Sequence, residues 1–123
     1  MATKGKKILI VDDDRAVITL LENVLSSAGY DVEQAHNGLE GVAQVKKIVP
    51  DLIVLDVMMP ELNGYDVCRD LKFDPKFKHI PIIVLTSREQ ELDPRIGFLM
   101  GIDYMQKPVD TKLLLEKVQK ALE

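Results

Sequence analysis

The chain carries a single cysteine, Cys68. One thiol cannot close an internal disulfide, so a disulfide-framed secreted module is excluded and a reducing, cytoplasmic setting is expected. No apolar run approaches the ~20 residues of a membrane span. The basic start, Met1 to Lys7, is followed only by Ile8 to Val11 before three aspartates, too short an apolar stretch for a signal peptide. Excess positive charge is also missing. A net charge of -4 and a pI near 5.2 argue against nucleic acid or an anionic membrane as a main partner. There is no internal repeat, low-complexity segment, linker, G-x-G-x-x-G or P-loop. What remains is 123 residues, 46% hydrophobic and 29% charged, the size and composition of one globular domain spanning residues 1–123.

Three short apolar runs organise that domain. Ile8-Leu9-Ile10-Val11 ends at Asp12, Leu52-Ile53-Val54-Leu55 at Asp56, and Ile82-Ile83-Val84-Leu85 at Thr86. Continuous runs of β-branched residues and leucine suit strands covered on both faces, as in a parallel sheet. The segments between them have the helical period. Val17, Leu20, Leu21, Val24, Leu25 and Ala28 form one stripe, with Asp14 as N-cap and Gly29 as stop. Leu114, Leu115, Val118, Ala121 and Leu122 form another after Asp110. Weaker strands are expected at Asp31–His36 and Asp103–Gln106, and weaker helices at Leu39–Lys47 and Gly64–Lys72. Asp93-Pro94 reads as an N-cap followed by proline at the first helical position. It predicts a short helix over Pro94–Met100, after a mobile loop at Arg88–Leu92. The alternation gives an α/β fold with five β–α units and a five-stranded parallel sheet, whose crossovers are right-handed.

In open parallel sheets, ligands bind beyond the carboxyl ends of the strands. Asp12, Asp13, Asp56 and Thr86 all fall there, and Lys107 follows the last short strand. Taken singly, the aspartates are a solvated, helix-capping turn, Thr86 a strand end and Lys107 a surface charge. Their convergence on one sheet edge changes that. Clustered carboxylates repel one another, and a hard cation such as Mg²⁺, which prefers oxygen ligands, relieves the repulsion.

The strings Ile10-Val11-Asp12-Asp13, Asp56-Val57-Met58-Met59-Pro60, Asn63-Gly64, Val84-Leu85-Thr86-Ser87 and Lys107-Pro108 closely resemble the response-regulator receiver domains of two-component signalling. The resemblance covers essentially the whole chain, with five separated motifs in order. It implies a flavodoxin-like, doubly wound sheet of strand order 2-1-3-4-5 with five helices. It implies that Asp56 accepts a phosphoryl group from a histidine kinase or phosphotransfer protein, and that the module assists its own phosphotransfer and dephosphorylation without being an enzyme otherwise. Asp13 and Asp56 would ligate Mg²⁺ directly, with the main-chain carbonyl of Met58, and Asp12 would act through water. Thr86 would donate its hydroxyl to the phosphoryl group, Lys107 would pair with it, and Tyr104 would be the switch aromatic that follows Thr86. A cis Lys107-Pro108 bond is also implied. The domain would act as a monomer or weak dimer on an output protein that the sequence does not name.

Other readings compete. An aspartate-nucleophile phosphatase of the haloacid-dehalogenase type wants a second acid where Met58 stands. A nucleotide or flavin module lacks its glycine motifs. A receiver-like adaptor that works without phosphorylation usually loses an acid, the threonine or the lysine, and all are present. His36 and His79 lack ligand spacing, and Cys68 reads as a buried, inert thiol.

Overall fold

The computed structural model describes residues 5–56, 64–86 and 102–123. Strands β1 (Lys7–Val11), β2 (Asp31–Ala35), β3 (Leu52–Asp56), β4 (Ile82–Thr86) and β5 (Ile102–Gln106) are described, and helices follow β1, β2, β3 and β5. These are α1 (Arg15–Ser27), α2 (Gly38–Ile48), α3 (Gly64–Phe73) and α4 (Thr111–Leu122). The strands form one sheet in the order β2-β1-β3-β4-β5, all neighbours parallel.

The apolar runs explain the centre of this sheet. Every residue of β3 and β4 is buried, and alternate side chains enter opposite layers, as a period of two requires. Ile8, Ile10, Leu52, Val54, Ile83 and Leu85 pack with Ile18, Leu21 and Leu25 of α1 and with Leu114 and Val118 of α4. On the other face, Leu9, Val11, Ile53, Leu55, Ile82 and Val84 meet Val45 of α2 and Val67, Cys68 and Leu71 of α3. Helices therefore cover both faces, two on each among the described residues. This is the doubly wound, flavodoxin-like architecture.

The helix caps follow the sequence signals. Asp14 is the N-cap of α1 and accepts from the Ala16 N–H at 2.9 Å. Gly29 lies just beyond the C-cap Ala28 with φ 99°. Asn37 caps α2 by accepting from the Glu40 N–H, and Asp110 caps α4 by accepting from the Leu113 N–H.

Several expectations need correction. The apolar stripe of α1 differs from the predicted one at one position. Leu21 and Leu25 are buried and Val17 and Ala28 pack against the same core as expected, but Ile18 enters it in place of Leu20, which is 44% exposed. Ala121 is likewise exposed on α4. β2 stops at Ala35 before His36, β5 begins at Ile102, and α2 and α3 extend to Ile48 and Phe73. The helix expected over Pro94–Met100 and the loop before it lie outside the described residues, so four of the five expected helices are described here.

Candidate functional site

Strand register builds the site. Val11 pairs with Leu55, Asp56 with Leu85, and Thr86 with Gln106. The residues ending β1, β3, β4 and β5 therefore arrive along one edge of the sheet. Asp12 is held there by its own N–H, which donates to the Ala35 carbonyl at 3.1 Å. Its side chain is fully buried, yet both carboxylate oxygens have donors. Oδ1 accepts the Asp14 N–H at 2.9 Å and Oδ2 accepts Lys107 Nζ at 3.1 Å.

Lys107 joins two acids, because its ammonium also lies 3.5 Å from Asp56 Oδ2. Its backbone N–H donates to the Thr86 carbonyl at 2.7 Å, tying the end of β5 to the end of β4. The following Lys107-Pro108 bond is cis, as the resemblance implied. Asp12, Asp13 and Asp56 each bring a carboxylate oxygen within 4.8 Å of the others. Asp12 and Asp56 are buried and Asp13 is exposed. Thr86 is fully buried at the end of β4, while Tyr104 is half-buried and packs against the layer that contains α2 and α3. Met58 lies outside the described residues.

Burial dominates the electrostatics. It pushes the Asp12 carboxyl up to about 6, aided by the negative charge of Asp56. The Asp14 hydrogen bond and Lys107 pull in the other direction. Burial alone would lower the Lys107 pKa, but the hydrogen bond and charge of Asp12, then Asp56, raise it above the ordinary lysine value. The lysine thus stays charged in a site with an excess of negative charge. An all-oxygen donor set of three carboxylates, two of them buried, fits a hard divalent cation. Cys68, by contrast, is buried in the core and burial pushes its thiol up to about 12, the inert behaviour expected of it.

Sequence reasoning brought Asp12, Asp13, Asp56, Thr86 and Lys107 to one edge but did not show the direct Lys107–Asp12 contact across 95 residues of chain. Only the register of β1, β3, β4 and β5 reveals it.

The family model for the response regulator receiver domain matches residues 8–119. The chain belongs to that family. Receiver domains are signalling modules of two-component systems rather than metabolic enzymes, and they bind Mg²⁺ in an acidic pocket of this kind. This receiver domain is 42% identical over 117 residues to the DNA-binding dual master transcriptional regulator RpaA of Synechocystis sp., covering 94% of this chain and 48% of that protein. The chain spans about half the length, or less, of the curated relatives it matches. It is also similar to the crystal structure of a putative response regulator from Chloroflexus aurantiacus. The TM-score is 0.87 at 38% identity, covering 97% of this chain and 98% of that one. The receiver domain of sensor histidine kinase PA1611 from Pseudomonas aeruginosa, solved with magnesium coordinated in its active site cleft, matches with a TM-score of 0.85 and 29% identity. That match covers 96% of this chain and 98% of that one.

Proposed function

We propose that residues 1–123 form one receiver domain that accepts a phosphoryl group on Asp56 and thereby changes its affinity for an output protein. The observation that carries this reading is the convergence of the Asp12, Asp13 and Asp56 carboxylates with a lysine ammonium 3.1 Å and 3.5 Å from two of them. An Asp56 carboxylate oxygen attacks the phosphorus of a phosphohistidine on a kinase or phosphotransfer protein. The new O–P bond forms as the P–N bond breaks, and the imidazole leaves as the neutral ring after taking up a proton.

Asp13 and Asp56 would hold Mg²⁺, with the Met58 carbonyl as a further ligand and Asp12 through water. The cation would supply charge neutralisation at the transferring group. Three carboxylates are then balanced by the metal and Lys107 to about zero. Replacing the Asp56 charge by a phosphate of about -2 leaves about -1. Without the metal the same cluster would stand near -3, so metal dependence follows from the charge balance. Lys107 turns from the carboxylates toward the phosphoryl oxygens, and the Thr86 hydroxyl donates to one of them. Thr86 and Tyr104 occupy neighbouring strands, with Tyr104 paired to Val84. Movement of Thr86 toward the phosphoryl group opens room for the Tyr104 ring and changes the surface beside β5 and α4.

The domain works in the cytoplasm as a monomer or weak dimer, and the signal leaves through protein contacts rather than nucleic acid or membrane. Among the described residues, no helix is long and apolar enough to cross a membrane. The test is transfer from a phosphorylated histidine kinase domain to the wild-type chain and to Asp56→Asn. Transfer to the wild type alone, followed by altered amide exchange in residues 102–106, supports the reading. A chain that takes no phosphoryl group, yet binds its partner unchanged, is instead an adaptor that works without phosphorylation.

A further inference from the structure

We propose that the end of the sheet opposite the carboxylate cluster is a docking surface for an acidic, extended segment of a partner protein that carries one bulky apolar side chain. The surface is a groove of about 490 Å³ lined by Lys46, Val49, Asp74, Lys76 and Phe77. It sits where α2 runs toward β3 and where the loop after α3 runs toward β4. These are the amino ends of two paired strands. Each strand is five residues long, which puts roughly 15 Å of sheet between the groove and Asp56.

Its charge is opposite to that of the molecule as a whole. Its lining sets Lys46 and Lys76 against Asp74, with Lys47 in the last turn of α2 and Lys78 on the loop adjoining them in sequence, in a chain of net charge -4. Among the described residues, the ion pairs at Lys7, His36, Lys107 and Lys117 involve none of these four lysines. The carboxylate within the groove, Asp74, is engaged by its own turn, where it accepts the Lys76 N–H at 2.9 Å. A helix C-terminus favours lysines for its own sake, which accounts for Lys46 and Lys47. It does not account for Lys76 and Lys78.

The loop that presents Lys76 and Lys78 is fixed in place. Lys72 donates to the Lys78 carbonyl at 3.1 Å and to the Ile80 carbonyl at 2.8 Å, and the Phe77 and Lys78 N–H groups donate to the Asp74 carbonyl. Such preorganisation lowers the ordering cost of binding.

The apolar part of the groove is the independent observation. Val49 ends α2 with φ 45° and ψ 73°. That left-handed position ordinarily takes glycine or asparagine, and a β-branched residue there is strained. Val49 is nevertheless 49% exposed, and Phe73 beside the same loop is 76% exposed. A strained, exposed valine contributes little to the fold, whereas at the rim of a lysine-flanked groove it offers an apolar contact. Acidic groups between Lys46 and Lys76 and one apolar side chain over Val49, beside the edge of the otherwise buried Phe77, match this arrangement.

The probe is a fluorescein-labelled peptide of about ten residues, spanning roughly 33 Å when extended. It is glutamate and aspartate throughout except for one central leucine. Anisotropy should show saturable binding that weakens with salt and falls about tenfold or more in Lys46→Glu/Lys76→Glu. Val49→Gly should fold at least as stably as the wild type and still bind more weakly. Lys112→Glu/Lys120→Glu, on α4, should bind as the wild type does. Equal binding by the groove variants, equal loss in the α4 variant, or tighter binding of duplex DNA or anionic vesicles than of the peptide would overturn the proposal.

Discussion

Asp12 holds an ionisable carboxyl at a fully buried position, and its pKa of about 6 lies above the ordinary 3.8. The folded chain therefore binds more protons at this group than the unfolded chain does between those values. The resulting stabilisation is complete below about 3.8 and is lost as the pH rises through about 6. At neutral pH without metal the ionised group is a liability on the order of 1–3 kcal/mol. Asp12→Asn should remove this decline: in metal-free urea titrations at pH 4 and pH 7.5, the variant's stability should change less between the two than the wild type's. A cation bound by the cluster stabilises the folded state by mass action, so added Mg²⁺ should restore the wild type at pH 7.5 and help the variant less. Identical pH profiles for the two chains would mean that Asp12 is not perturbed as described.

Among the elements, β1, β3 and β4 were plain in the sequence because both faces of each are covered, which demands unbroken apolar residues. β2 was harder to read, since its exposed and half-buried positions leave a mixed pattern, DVEQA, with only Ala35 buried. α1 was legible except at its edge: Val17, Leu21, Leu25 and Ala28 face the core as their spacing predicts, and only the packing against the sheet shows that Ile18 rather than Leu20 completes the stripe. The site acids were legible because each closes an apolar run. The Lys107–Asp12 contact and the Lys7 backbone N–H donating to the Asp51 carboxylate at 2.8 Å depend on register and were not, and the Lys72 contacts depend on the path of the loop after α3.

One packing detail also escaped the sequence. A Cβ at Gly41 of α2 would lie 2.9 Å and 3.1 Å from the two methyl carbons of Val11. Alanine gains about 0.5–1 kcal/mol over glycine as a helix former, but overpacking typically costs about 1–3 kcal/mol. Gly41→Ala should therefore be destabilising by roughly 0–2 kcal/mol in urea, and Gly41→Ala/Val11→Ala should recover less than additive loss. Additive losses would mean that the two positions do not meet.

At the scale of the molecule, the carboxylate cluster lies beyond the carboxyl ends of the strands and the groove with Lys46 and Lys76 lies beyond the amino ends of β3 and β4. Coupling between Asp56 and the surface around β5 and α4 can shift partner affinity only by the difference in interaction between the two states. For typical coupling energies of about 1–3 kcal/mol that is about 5–150-fold. Thr86→Ala should still be modified at Asp56 but should bind its partner equally well in both states. A full affinity change in that variant would route the signal elsewhere. The proposed switch depends on Asp56 being a nucleophile in a cluster that needs a cation. The most direct measurement is intact mass after incubation with a small phosphodonor, with Mg²⁺ or with chelator, followed by mapping of the modified residue. The expected result is one phosphoryl group on Asp56 with Mg²⁺ and none with chelator. An adduct that persists with chelator, or that maps to another residue, would contradict it.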